Sequence, residues 1–182
     1  MKLVILDRDG VINEDRDDYV KSPAEWVPIA DSLEAIANLT QAGWRVVVAT
    51  NQSGIGRGLF DMHALNAMHE KMHRLVNQAG GRIDAVVFCP HTRNDQCRCR
   101  KPAPGMVLEI AERFHVRPDS LPMVGDSLRD LQAIDAAGGH PILVKTGKGQ
   151  KTLAGGELPE HTRVFDNLYD AAEFLIQSPD YQ

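Results

Sequence analysis

The chain has 182 residues, 43% apolar and 25% charged, with a formal net charge of −5. That length and balance suit one domain burying roughly 70% of its unfolded surface, and they exclude disordered and fibrous classes. The negative charge argues against a general nucleic-acid binder, although one basic loop can still grip an anionic ligand.

The opening MKLVILDRDG carries an apolar run too short for a signal-peptide core, and no stretch reaches the ~20 apolar residues that cross a bilayer. A cytoplasmic monomer without membrane contact is expected. KLVIL (2–6) reads as a buried strand because it is continuous rather than alternating. It runs into Asp7-Arg8-Asp9-Gly10. In extended geometry residues two apart share a face, so Asp7 and Asp9 are expected to face a crevice, with Arg8 turned away. Such a pair can supply a nucleophile and a proton-transfer acid. Residues 10–28 follow as a polar flap. A helix begins at Asp31, with Glu34 completing a capping box and Gly43 closing it.

WRVVVA (44–49) is the second strand, ending in Thr50-Asn51-Gln52-Ser53-Gly54, a hydroxyl, amide and glycine set suited to phosphate. The next GIGRG is not a dinucleotide fingerprint, since its third glycine comes one residue early. A helix over 61–80 contains His69-Glu70-Lys71-Met72-His73, which spells the zinc-protease HExxH. Its histidines lie at the edge of the stripe formed by Leu65, Met68, Met72, Leu75 and Val76, so a chance match on a solvated face is expected. IDAVVF (83–88) is the third strand and leads into a loop, 89–101, that holds every cysteine. Cys89, His91, Cys97 and Cys99 make a full tetrahedral set for Zn²⁺ that leaves no place for water, so the zinc is expected to be structural. It would staple the loop carrying Arg100 and Lys101.

The remainder alternates in the same way. A helix over 104–115 precedes LPMVG (121–125), which ends in Gly125-Asp126-Ser127-Leu128-Arg129-Asp130. Taken singly, Asp126 reads as a cap for the helix that stops at Gly138-Gly139. PILVK (141–145), a Gly-rich surface loop (147–160), RVF (163–165) and a helix over 167–177 complete the chain. The order implies an α/β fold, a doubly wound and mostly parallel sheet in a single domain over residues 1–182. The ligand crevice then lies beyond the carboxyl ends of the strands, where acids, a hydroxyl and a lysine can converge.

In order, DxDGV, TNQSG, KP and GDSxxD resemble the four motifs of the haloacid-dehalogenase superfamily of phosphatases, across residues 7–130. The resemblance implies that Asp7 attacks phosphorus to form an aspartyl phosphate. Asp9 would protonate the leaving oxygen and then deprotonate the attacking water, while Thr50 and Lys101 hold the phosphoryl oxygens. Catalytic Mg²⁺ would lie among the Asp7 side chain, the Asp9 backbone carbonyl and Asp126, supported by Asp130. No inserted cap domain fits within residues 10–43 or 51–100. With CPH…CRCRKP, DRDGVIN and TNQSGIGRG, the chain resembles the capless zinc-loop subfamily, which contains sugar-bisphosphate and histidinol-phosphate phosphatases. By that resemblance Arg100 would recognise a second phosphate or sugar oxygens. Asp15, Arg16, Asp17 and Asp18 of the flap, with Asn51, Gln52 and Ser53, would contact substrate hydroxyls. The implied partner is a sugar bisphosphate, not nucleic acid. A phospho-receiver domain is the competing reading of another class, but its phosphorylated Asp follows a later strand.

Overall fold

Six short strands form one sheet in the order β3-β2-β1-β4-β5-β6, every neighbouring pair parallel. They are β1 Leu3–Leu6, β2 Arg45–Asn51, β3 Ala85–Cys89, β4 Pro122–Gly125, β5 His140–Val144 and β6 Arg163–Phe165. The structure, a computed structural model, describes residues 1–181. All six strands inferred from the sequence are present, each within two residues of its expected start.

The reason lies in which faces are covered. Val4 and Leu6 point into a core shared with α1 (Ser32–Gln41), α3 (Met62–Gln78) and α7 (Leu168–Gln177). Leu3 and Ile5 point into a second core with α4 (Gly105–Phe114) and Ile134 of α5 (Leu128–Ala136). A strand with helices on both sides has no polar face to show, hence the unbroken apolar runs. The chain crosses from one side of β1 to the other, so the sheet order reverses there, and the crevice of such sheets opens at that point.

Three local expectations change. Asp31 adopts a left-handed φ of 67° and its side chain caps nothing, so the Asp31–Glu34 box does not form. The cap forms instead at α5, where Ser127 and Asp130 bond reciprocally; Asp126 is thereby free of that duty. The stretch 147–160 is not all loop, since α6 occupies Gly149–Gly155, and a one-turn α2 at Ser53–Gly56 follows β2. The flap is polar only outwardly. Val11, Ile12, Val20 and Trp26 sink into the first core, each worth about 1.5–3 kcal/mol of burial. Lys71 of α3 also donates to the carbonyls of Pro23 and Trp26, both at 2.7 Å.

Candidate active site

The carboxyl ends of the three central strands bring the reactive groups together. Asp7 follows β1, Thr50 and Asn51 end β2, and Asp126 follows β4. Lys101 enters from the loop after β3. Its Nζ donates to Asp7 Oδ1 at 2.9 Å and to the Ala49 carbonyl at 2.8 Å, and lies 2.6 Å from Asp130 Oδ1. Burial pulls the Lys101 pKa down, but Asp130 and Asp7 outweigh it, so the ammonium stays charged at the centre. Burial, then the Asp130 charge, push Asp7 up to about 7 against the pull of Lys101. Asp7 Oδ1 also accepts the Arg8 backbone N–H at 2.8 Å. Oδ2 accepts no hydrogen bond among the described residues and is open to the cleft.

Asp9 reaches the cleft by a different route from the one expected. The chain leaves extended geometry at Arg8, whose carbonyl accepts the N–H groups of Val11, Ile12 and Asn13. Asp7 and Asp9 therefore do not share a strand face. Arg8 does not line the cleft, as expected, but neither does it reach solvent: it is 0% exposed, and its Nε and Nη2 donate to Asp9 Oδ1 at 3.0 and 2.9 Å. Asn13 donates to the same oxygen at 2.8 Å, and Gln52 Nε2 donates to Oδ2 at 3.1 Å. Burial raises the Asp9 pKa, but Arg8 and these donors outweigh it and hold the group below its ordinary value.

The cleft, about 170 Å³, is lined by Asp7, Asp9 and Asp126 below and by Arg100, Arg129 and Lys148 at its mouth, among others. It is smaller than the ~300–1,000 Å³ of sites that enclose a whole ligand, so part of a bisphosphate must lie across the mouth. Asp15, Arg16, Asp17, Asn51 and Ser53 line it as expected. Asp18 does not; it is exposed and bonds Arg16 and Lys21, because the flap turns outward there. Thr50 and Gln52 lie buried beneath the wall, bonded to each other at 2.9 Å. Gln52 thus holds Asp9 rather than a substrate hydroxyl. Asn51 lines the cleft and also brackets the Lys101 backbone, donating to its carbonyl and accepting from its N–H, both at 3.0 Å.

Sequence reasoning missed Arg129 and Lys148. Arg129 was legible in principle: with Ser127 as cap and Asp130 turned inward, residue 129 faces the mouth. Lys148 gave no signal, as it lies in a glycine-rich stretch; its N–H donates to Asp126 Oδ2 at 2.8 Å and its Nζ meets Asp15 at 3.2 Å. Among the described residues, Arg100 and Arg129 have no carboxylate partner. Burial, then Arg129, and to a smaller extent Arg93 and Arg57, pull the Arg100 pKa down against an opposing effect of Cys89. Crowded cations of this kind favour an anionic guest.

Asp7, Asp126 and Asp130 each place a carboxylate oxygen within 4.8 Å of the other two. Burial, then Asp130 and Asp7, push Asp126 up to about 8. Gly10 and Gly147, at φ of +84° and +55°, wrap the backbone against this group, and a Cβ on either would overlap Asp126 Oδ2. A tight, hard-oxygen cluster of mutually repelling acids fits Mg²⁺. The Asp9 side chain stands outside the cluster. Protons compete for the same oxygens: below about 7 and 8 Asp7 and Asp126 hold protons that a cation must displace. Mg²⁺ affinity, measured by calorimetric titration, is therefore expected to rise about tenfold or more from pH 6 to pH 8 and level off above it. A flat profile would refute the assignment.

The cysteine loop closes as a metal site. Cys89 Sγ lies 3.5 Å from His91 Nδ1, 3.7 Å from Cys97 Sγ and 3.1 Å from Cys99 Sγ, and His91 Nδ1 is 3.3 Å from Cys99 Sγ. A tetrahedron with ~2.3 Å zinc–sulfur bonds has edges of about 3.7 Å, so the four atoms fit zinc. The loop is tied to β2 by the Gln52 N–H, which donates to the Cys89 carbonyl at 2.7 Å, and Arg100 Nη1 donates to the His91 carbonyl at 3.3 Å. Cys97→Ser is expected to lose bound zinc and lower the melting temperature. It should raise KM about tenfold while leaving hydrolysis of a small aryl phosphate. Unchanged KM in zinc-free protein would remove the loop from substrate selection.

Among the described residues, no metal cluster includes His69 or His73. Yet His69 is not on a solvated face. It is half-buried, its Nε2 lies 3.2 Å from Arg8 Nη1, and burial, then Arg8, pull its pKa down to about 3.

A carboxylate opposed to a buried lysine, beside an acid cluster at the switch point of a parallel sheet, defines a haloacid-dehalogenase-type phosphoryl-transfer centre. The HAD-hydrolase-like family model matches residues 98–171. The chain is 62% identical over 179 residues to the D-glycero-β-D-manno-heptose-1,7-bisphosphate 7-phosphatase of Neisseria meningitidis, covering 97% of this chain and 96% of the relative. It is 60% identical to that of Bordetella bronchiseptica, covering 97% and 99%. The crystal structure of the B. bronchiseptica D,D-heptose 1,7-bisphosphate phosphatase, complexed with magnesium and phosphate, superposes with a TM-score of 0.96 at 60% identity, over 97% of this chain and 99% of that one. The phosphatase from Burkholderia thailandensis gives 0.79 at 57% identity, over 98% and 100%. The chain belongs to the haloacid-dehalogenase-like hydrolases, in the group that holds these heptose-bisphosphate phosphatases.

Proposed function

We propose that this protein is a Mg²⁺-dependent phosphomonoesterase that removes the C7 phosphate of D-glycero-β-D-manno-heptose 1,7-bisphosphate, a step of heptose supply for lipopolysaccharide. The observation that carries the reading is the placing of one reactive carboxylate below two guanidinium groups that no carboxylate neutralises among the described residues. Asp7 and Lys101 lie at the floor, and Arg100 and Arg129 stand at the mouth with no carboxylate partner among the described residues. One phosphate fits below and a second above, with the flap between. We place the reaction in the cytoplasm, where three zinc-ligating thiols remain reduced.

Asp7 attacks phosphorus through its open oxygen, and the bond to the C7 oxygen breaks. Lys101, with Thr50 beneath, sets the phosphoryl oxygens. Mg²⁺, held by Asp7, Asp126 and the Asp9 backbone carbonyl with Asp130 behind, supplies charge that offsets repulsion between carboxylate and phosphoryl group. Asp9 rests ionised, so it must collect a proton before it can give one to the leaving oxygen; the dianionic phosphoryl group beside it raises its proton affinity. Having given that proton, Asp9 takes another from the water that attacks the aspartyl phosphate. Phosphate leaves, Asp7 is regenerated as its carboxylate, and Asp9 releases the water's proton to solvent to regain its ionised resting state.

The test is a phosphate-release panel at matched low concentrations. The β-anomer of the bisphosphate is expected to exceed the α-anomer, fructose 1,6-bisphosphate and histidinol phosphate in kcat/KM. Equal or better turnover of histidinol phosphate would sink the assignment. In the same panel Arg100→Ala should raise KM for the bisphosphate about ten- to a hundredfold, as loss of a charged contact costs ~1.5–3 kcal/mol, yet leave histidinol phosphate unaffected.

A further inference from the structure

We propose that Arg8 and His69 form a positioning unit that fixes the Asp9 carboxylate for proton transfer, an inference that rests on the acid–base role given to Asp9. The starting point is a buried arginine that the mechanism does not otherwise use. Arg8 is 0% exposed, and a guanidinium rarely enters a protein interior unless its donors are satisfied. Here they are spent on a small set of partners. Nε and Nη2 converge on Asp9 Oδ1 at 3.0 and 2.9 Å, and Nη1 lies 3.2 Å from His69 Nε2.

The direction of that last contact is not free. Arginine has no lone pair to offer, so His69 Nε2 must be the acceptor, and the imidazole carries its proton on Nδ1. His69 in turn stands on α3, whose Leu65, Met68 and Met72 are wholly buried in the core. A chain of contacts thus runs from a rigid helix through His69 and Arg8 to one oxygen of Asp9.

The effect is to make the two Asp9 oxygens unequal. Oδ1 accepts two bonds from Arg8 and a third from Asn13 at 2.8 Å, leaving no room for a substrate. Among the described residues Oδ2 accepts only Gln52, at 3.1 Å. The proton therefore travels on Oδ2, and the unit's work is to keep that oxygen aimed at the cleft. His69 does not line the cleft, so it acts through Arg8 and not on the substrate.

Three substitutions test this. His69→Leu removes the acceptor, His69→Asn keeps a polar group too short to reach Arg8, and His69→Gln restores an acceptor at the distance of Nε2. Leu and Asn are expected to lower kcat about tenfold, since small misplacements of a reacting group are costly, while KM and the inhibition constant for inorganic phosphate stay within about twofold. Gln should recover kcat to within about threefold of wild type. Wild-type kcat in the Leu and Asn variants would overturn the inference. So would a Gln variant no better than Leu, or a melting temperature and phosphate affinity that fall in step with kcat in all three. Asp9→Asn separates the two levels: if it retained turnover, the role of Asp9 itself would fail. An inactive Asp9→Asn beside a fully active His69→Leu would remove only the positioning unit.

Discussion

Replacing Asp7 by Asn is expected to lower kcat by about 10⁴-fold or more without unfolding the protein. The amide keeps an oxygen where Oδ1 now accepts the Arg8 N–H and Lys101 Nζ, at 2.8 and 2.9 Å. It lacks the charge that attacks phosphorus. The same change relieves strain in the resting site. Asp7 is pushed up to about 7 by burial and Asp130, and its own charge helps to push Asp126 up to about 8. A neutral residue at position 7 ends that repulsion, so the melting temperature in Mg²⁺-free buffer should equal or exceed that of the wild type. Turnover and thermal denaturation measured on one preparation decide the matter. Activity above about 1% of wild type would show that another group attacks phosphorus.

The sheet was legible because both its faces are covered. Val4 and Leu6 serve one core and Leu3 and Ile5 the other, so apolarity along the run reports burial on both sides. Helix ends were less legible, because side chains with two possible uses look alike in a sequence. Ser127 and Asp31 are both good caps on paper. Ser127 caps, while Asp31 sits in a left-handed turn beside Ser32, whose hydroxyl donates to the Val11 carbonyl at 2.7 Å. That contact spans the flap and could not be inferred from the residues near Asp31.

The candidate site divides in the same way. Asp7 and Asp126 were readable because each follows a strand of one sheet, and Asp130 because it lies in the first turn of a helix, whereas Lys101 lies in the loop between β3 and α4 and was picked out by the motif resemblance. Cys89, His91, Cys97 and Cys99 were readable because metal ligation imposes its own spacing. What the sequence hid are residues recruited across the fold. Period-two reasoning turned Arg8 away from the cleft, which it does not line, but could not show that the turn at its carbonyl buries it against Asp9. His69 looked like an edge histidine because nothing in α3 reveals that Arg8 lies opposite. Gln52 and Asp18 were assigned to substrate by the resemblance; one holds Asp9 and the other an ion pair on the flap. Polarity marks the need for a partner and leaves its identity to the fold.

Lys101→Met is expected to damage activity and stability together, and a second substitution should separate the two. Lys101 Nζ is the cation between Asp7 and Asp130, at 2.9 and 2.6 Å, and all three groups are buried. Methionine fills the space but leaves two carboxylates facing each other, a loss of about 3–5 kcal/mol. For a chain of this length that corresponds to roughly 10 °C in melting temperature. Without its donor to the phosphoryl oxygens, kcat should fall about 10²- to 10³-fold. Adding Asp130→Asn to Lys101→Met removes one of the opposed charges, and part of the lost melting temperature should return. Activity should not, because the phosphoryl group still has no ammonium to receive it. Recovery of kcat alongside stability would mean that Lys101 serves the fold alone, and kcat within tenfold of wild type in the single variant would mean the same.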